Sequence, residues 1–309
     1  MNPARVHALH VAVMGPASTP VTGHGQTSPG TCRQAVGVAE LRAAWHAAAA
    51  GRFRTSTPQH LADPGMAPGE DGWSAPGEVV AVLGCHAFAG CTTVAVSLAC
   101  AVAGPVRVVE TAAPRASGLT GYATAELGPT GTGWVRGRRD HVVLDRRHHP
   151  GPVPLPDPGP TVAPGALARQ LVTVLDAGCH PEGPYADPGW VGPAVVAAQH
   201  LVLVTTATVP GMRRLEGVLE HLTPEHRGPV VAVRGPVQRR WPAPVRHSVG
   251  PLTRSLLGEV VPVPYDAGLA VHGLDTRPLP RGLLASATDL LHGLGLHDAH
   301  PFPTKGSTR

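Results

Sequence analysis

Five consecutive apolar residues, Val79-Val80-Ala81-Val82-Leu83, run into a glycine-bounded turn and then into the breaker-free segment from Thr92 to Ala103. A strand that is apolar on both faces must be covered on both, which is the condition of a parallel strand inside a helix-flanked sheet. The turn that follows feeds a helix whose first amides have no partner within the helix, and such a place attracts anions.

Short apolar runs recur downstream: Val106 to Val109, Leu171 to Leu175, Leu201 to Thr205, Val230 to Val233 and Val260 to Val263. Helical patterns over Met212 to Leu222 and Leu283 to Leu294 separate or follow them. The alternation predicts an α/β fold, a doubly wound and mostly parallel sheet with helices on both faces and right-handed crossovers. Between Val109 and Leu171 the pattern changes. Arg115, Ser117 and Gly118 mark a loop, and the Gly-rich stretch 128–137 leads into His141 to Leu144, either a short strand or part of an inserted hairpin. Seven prolines between Pro150 and Pro164 predict a surface loop. No internal repeat is found.

Residues 1–77 lack sustained periodicity. They are expected to form a largely disordered arm with one short helix near 38–53, where Leu41, Ala44, Trp45 and Ala48 share a face. The domain proper is expected over 78–295, with 296–309 a flexible tail. Gly and Pro supply 38 and 35 of the 309 residues, which supports partial disorder. Lys305 is the only lysine, so the remaining 24 of 25 basic residues are arginines. The formal charge of +4 permits weak attraction to nucleic acid without requiring it. No apolar run approaches the roughly 18 residues of a membrane helix. The first residues, interrupted by Arg5, His7 and His10, do not form a signal core, and five cysteines are an odd number. A cytoplasmic location is expected.

The turn reads GCHAFAGCTT from Gly84 to Thr93. It resembles the phosphate loop of the ParA/MinD family of deviant Walker ATPases, a P-loop family whose loop has the form KGGxGKTT. Thr92 and Thr93 match its two threonines and Gly90 its last glycine. His86 stands in place of the signature lysine, Ala87 and Phe88 replace two glycines, and Cys91 replaces the lysine that holds the phosphates. Three later segments extend the resemblance in the same order: VTVLDAG at Val172 to Gly178, LVLVTTATVPGMRR at Leu201 to Arg214, and VVPVPYDAGL at Val260 to Leu269.

The resemblance implies a nucleotide site with Gly84, His86, Gly90, Cys91, Thr92, Thr93 and Asp266 around the cofactor. Thr92 and Asp176 would face a magnesium ion, and Asp176 and Glu110 are the candidate catalytic acids. With both lysine positions lost, the chain is expected not to be a competent ATPase. Removing one partner of a desolvated charge pair costs about 2 to 5 kcal/mol, so ATP and Mg would bind weakly, by roughly 1.5 to 3.5 decades. The implied function is a plasmid-partition, positioning or regulatory protein, a pseudo-ATPase acting through protein or DNA contacts, with a homodimer as one possible state. One alternative is a slow ATPase in which Arg107, Arg115 or Arg213 replaces the lysine. Another is an interaction module of a secretion or conjugation machine.

Other clusters read more weakly. Cys85 and Cys91 are either a redox pair, a metal site with His86, or small residues in a tight turn, and the last is favoured. Cys179-His180 and His148-His149 are chance neighbours in a chain with 18 histidines. Ser97 and Ser117 lack the glycines of a nucleophile elbow. Asp145, before Arg146 and Arg147, reads as a solvated turn rather than an acidic strand end. The segment Arg234 to Arg246, with Arg239, Arg240 and Trp241, reads either as a nonspecific DNA patch or as a solvated loop with a packed Trp, and Arg136, Arg138 and Arg139 beside Trp134 are a rival patch.

Overall fold

A computed structural model describes Arg42, Trp45, His46, Trp73 and residues 75–130, 132–157, 171–179, 189–222 and 228–296. The chain divides into two units, Met1–Ala67 and Pro68–Arg309. In the first unit the described residues Arg42, Trp45 and His46 are helical, inside the expected helix; of the rest of the expected arm only Trp73 and residues 75–77 are described.

The second unit is built on a nine-stranded sheet. Its strands are β1 (Glu78–Gly84), β2 (Val106–Glu110), β3 (Ala125–Pro129), β4 (Trp134–Arg139), β5 (Val142–Arg147), β6 (Val172–Asp176), β7 (His200–Thr206), β8 (Val230–Arg234) and β9 (Val260–Val263). The order across the sheet is β3-β4-β5-β2-β6-β1-β7-β8-β9. From β5 to β9 every pairing is parallel, and β3, β4 and β5 are joined antiparallel. The inserted hairpin is therefore present. Asp140, at φ 52°, makes its tight turn, and Gly137 is required where a Cβ would come 2.9 Å from Ala123 Cβ.

Seven helices of four residues or more complete the described part: α1 (Cys91–Ala101), α2 (Val191–Ala197), α3 (Val209–His221), α4 (Ala243–His247), α5 (Pro251–Ser255), α6 (Ala267–His272) and α7 (Arg281–Gly293). Alternate residues of β1 enter two different cores. Val80 and Val82 meet Val94, Leu98 and the α7 residues Leu283 and Leu290 on one face. Ala81 and Leu83 meet Val195 of α2, Met212 and Leu215 of α3, and Trp241 on the other. That two-sided burial is the reason the run at 79–83 has no polar member. α3 starts close against the end of β7, and a Cβ at Gly211 would overlap the Thr206 carbonyl oxygen.

Asp145 is not in a solvated turn. It is fully buried and accepts from Arg107 Nε at 2.5 Å and from Arg136 Nε and Nη2 at 2.7 and 2.9 Å. Arg136 Nη2 also reaches Asp157 Oδ1 at 3.1 Å, and Arg107 Nη1 donates to the Asp157 carbonyl at 2.8 Å. The reason is non-local: each cation comes from another strand, and burying one charge without the others would be costly. The described part of the proline-rich segment, 150–157, has no regular structure and supplies the Asp157 end of this cluster.

Candidate functional site

Parallel pairing brings the ends of β1, β2, β6, β7 and β8 to one edge of the sheet. Glu110 is the lateral neighbour of Asp176, Gly84 of Val204, and Thr206 of Arg234. The turn from Gly84 to Gly90 crosses this edge and delivers the chain into α1. Gly84 N donates to Gly178 O at 2.7 Å, and a Cβ there would press on two carbonyl oxygens at 3.3 Å. Gly90 is the N-cap of α1 at φ 102°; no side chain caps the helix and no acid lies in its first turn.

The loop's side chains turn away from a cradle. His86 bends back to β7, with Nε2 3.1 Å from Thr206 Oγ1. Phe88 adopts φ 61° and is 93% exposed. Cys91 points inward, its Sγ donating to Asp176 Oδ1 at 3.0 Å and lying 3.1 Å from Val82 O. Thr92 faces the loop after β2, where a Cβ on Gly118 would come within 3.0 Å of its methyl carbon.

Glu110 and Asp176 are both buried at the strand tips. Glu110 accepts from Ser117 Oγ at 2.5 Å and Gly118 N at 2.8 Å. Burial, followed by the Asp176 charge, pushes its carboxyl up to about 7. Asp176 is also raised, by burial, against the lowering effect of hydrogen bonding from Cys91, Thr92 and Gly178 N. Its Oδ2 is buried without a hydrogen-bond partner. Burial and then Asp176 hold the Cys91 thiol well above its usual range.

A second group lies on the β8–β9 side. Gly90, Thr93, Arg234, Tyr265, Asp266 and Leu269 line a cavity of about 70 Å³. Asp266 accepts from Leu269 N at 2.8 Å and caps α6. Thr93 offers its carbonyl to Ser97 Oγ at 2.7 Å. Arg234 Nη2 donates to Phe88 O at 2.9 Å, and its Nη1 would stand 3.4 Å from a Cβ on Gly90.

The structure thus brings Cys91, Thr92, Glu110 and Asp176 together, and separately gathers Gly90, Thr93 and Asp266. Of the three arginines weighed from the sequence, Arg107 is locked in the Asp145 cluster, while Arg115 and Arg213 are exposed. Arg234 was missed. Its signal was positional, the last residue of a strand two places from β1.

Cys85 and Cys91 do not bond to each other, and the four described cysteines are free. Burial, then Cys179, pushes Cys85 up to about 12, which is not the state of a reactive thiol. Among the described residues no three His, Cys, Asp or Glu side chains are grouped to hold a metal. Trp241 is 2% exposed and donates to Pro236 O, so beside Arg239 and Arg240 it offers no stacking face. Of the rival patch only Arg138 stays exposed, since Trp134 is buried, Arg136 serves Asp145, and Arg139 donates to the carbonyls of Asp275, Thr276 and Arg277. Among the described residues no helix is long and apolar enough to cross a membrane.

No family model matches the sequence, and no curated protein is significantly similar to it. Solved structures are similar in fold. A ParA family ATPase from Chlorobium tepidum is 12% identical, with 73% of this chain and 96% of that one covered and a TM-score of 0.41. A MinC:MinD cell division protein complex from Aquifex aeolicus is 13% identical, covering 75% and 100% with a TM-score of 0.41. An ATP complex of Cyanothece McdA is 12% identical, covering 73% and 97% with a TM-score of 0.40. Such distant similarities say nothing of what this chain binds; its doubly wound α/β sheet, with a glycine turn and helix at the tip of the central strand, stands on the pairings above.

Proposed function

We propose that this chain is a ParA/MinD-like partition, positioning or regulatory protein that works in the cytoplasm through contacts with other macromolecules, as a pseudo-ATPase. One observation carries the reading: Cys91, at the place of the phosphate-binding lysine, spends its Sγ on Asp176 and Val82 inside the protein.

The remaining donors fit magnesium nucleotide poorly. Thr92 and the unpartnered Oδ2 of Asp176 are chemically suited to a magnesium ion. Phosphate recognition and phosphoryl transfer depend on positive charge aimed at the phosphates, and here no ammonium group stands at the loop among the described residues. Phe88 replaces a glycine where the backbone would have to approach phosphate closely. The cavity beside Asp266, about 70 Å³, is far below the roughly 300 Å³ at which ligand pockets begin.

The second reading, a slow ATPase, is favoured by Arg234, whose guanidinium reaches the loop at the Phe88 carbonyl. Thermal unfolding with and without ATP and Mg separates the two. A ligand at 100 times its dissociation constant stabilises by about 2.7 kcal/mol. The pseudo-ATPase should show no shift and no turnover; turnover lost in Thr92→Ala and Arg234→Ala would establish the slow enzyme instead. Salt-dependent retardation of duplex DNA tests whether Arg239 and Arg240, both exposed, contribute nonspecific contacts.

A further inference from the structure

Phe88 combines two features that folding disfavours. Its backbone is left-handed at φ 61°, which strains a bulky L-residue, and its ring is 93% exposed. Glycine would remove both penalties. The knob is nonetheless held in place, because Arg234 from β8 bonds its carbonyl at 2.9 Å. Tyr265, 64% exposed, lines the same small cavity as Gly90 and Arg234.

The surrounding edge is cationic. Exposed Arg115 follows β2, Arg213 lies in the first half of α3 after β7, and Arg239 follows β8. The described carboxylates of this edge are held within the fold: Glu110 by Ser117 and Gly118, Asp176, fully buried, by Cys91 at one oxygen, Asp266 by Leu269 N and Asp275 by Arg277.

We propose that this edge docks an acidic segment of another protein. Phe88 is the apolar anchor, and Arg234, Arg115, Arg213 and Arg239 face the partner's carboxylates. The proposal deepens the reading of the chain as a contact protein and rests on it. A second copy meeting the same face would set arginine against arginine, which opposes association. Duplex DNA would use the arginines and leave Phe88 in water. Single-stranded nucleic acid needs a cationic groove with successive stacking platforms, and the cavity beside the loop holds only about 70 Å³.

The test is fluorescence anisotropy of a labelled synthetic peptide of glutamate and leucine, leucines at helical i, i+3, i+4 spacing, titrated with the full chain. Binding is expected to weaken as salt rises, and to fall about tenfold or more in Phe88→Gly and in Arg234→Gln. A lysine-leucine peptide of the same pattern should not bind, and neither an oligothymidylate nor a duplex should displace the acidic one. Phe88→Gly relieves the left-handed backbone, so its melting temperature should not drop, and lost binding is then not lost folding. Equal binding by Phe88→Gly, no binding of the acidic peptide, or its displacement by either nucleic acid overturns the proposal. ATP turnover measured on the same samples bears on the pseudo-ATPase reading alone, so the two can fail separately.

Discussion

Cys91 Sγ donates to Asp176 Oδ1 across 3.0 Å, so the thiol at the start of α1 is spent on one oxygen of the acid at the tip of β6. The pair ties the first residue of α1 to the tip of β6 inside the protein, with Asp176 Oδ2 buried beside it and unpartnered.

If cation and clearance are what the loop lacks, restoring them should restore phosphate binding. Phe88→Gly combined with Cys91→Lys is expected to bind inorganic pyrophosphate, and saturation at 100 times its dissociation constant should add about 2.7 kcal/mol to unfolding. The parent should show no shift by differential scanning calorimetry. A double variant as unresponsive as the parent contradicts the account.

Glu110 sets a pH dependence. In the folded protein its carboxyl is pushed up to about 7 from an ordinary 4.5, first by burial and then by Asp176. Between those values the native state holds a proton that the unfolded chain releases, so this contribution to stability is lost as pH rises through the window. The loss is on the order of 3 kcal/mol. Urea unfolding of the parent and of Glu110→Gln at pH 5 and pH 8 reads it as a difference. The variant should gain relative to the parent at pH 8, and parallel curves would refute the assignment.

Asp145 answers two guanidinium groups at once. Asp145→Ala leaves Arg107 buried without its main counter-charge and is expected to cost about 3 to 5 kcal/mol. Asp157→Ala, at a position 30% exposed, should cost no more than about 1 kcal/mol. Urea midpoints that ranked the two the other way would show the cluster to be organised around Asp157.

Two glycines of α3 should respond oppositely to alanine. At Gly211 the new Cβ overlaps the Thr206 backbone oxygen, whereas nothing stands within 4 Å of the Cβ position at Gly217. Gly211→Ala should lose about 1 to 3 kcal/mol, and Gly217→Ala should gain about 0.5 to 1 kcal/mol through helix propensity. Thermal melts of the two variants suffice.

The sheet was legible because its parallel strands are nearly pure aliphatic runs, so their ends, and with them Glu110, Asp176 and the Gly84 turn, could be placed at one edge. What depended on distant partners was not legible. Asp145 beside two arginines looks solvated unless Arg107 and Arg136 are known to converge on it. Trp241 beside Arg239 and Arg240 looks like a binding patch until its ring is found in the core below β8. Arg234 is one arginine among many until the register sets it beside Thr206.

The strand order also governs how the molecule can be assembled. β1, with its apolar run from Val79 to Leu83, lies between β6 and β7, so during synthesis it leaves the ribosome long before either neighbour exists. Until Asp176 and then Thr206 emerge, its two flanks have no native partner. Such long-range closure is slow and leaves sticky surface exposed meanwhile. A nascent chain halted before residue 172 should therefore need a chaperone to stay out of aggregates.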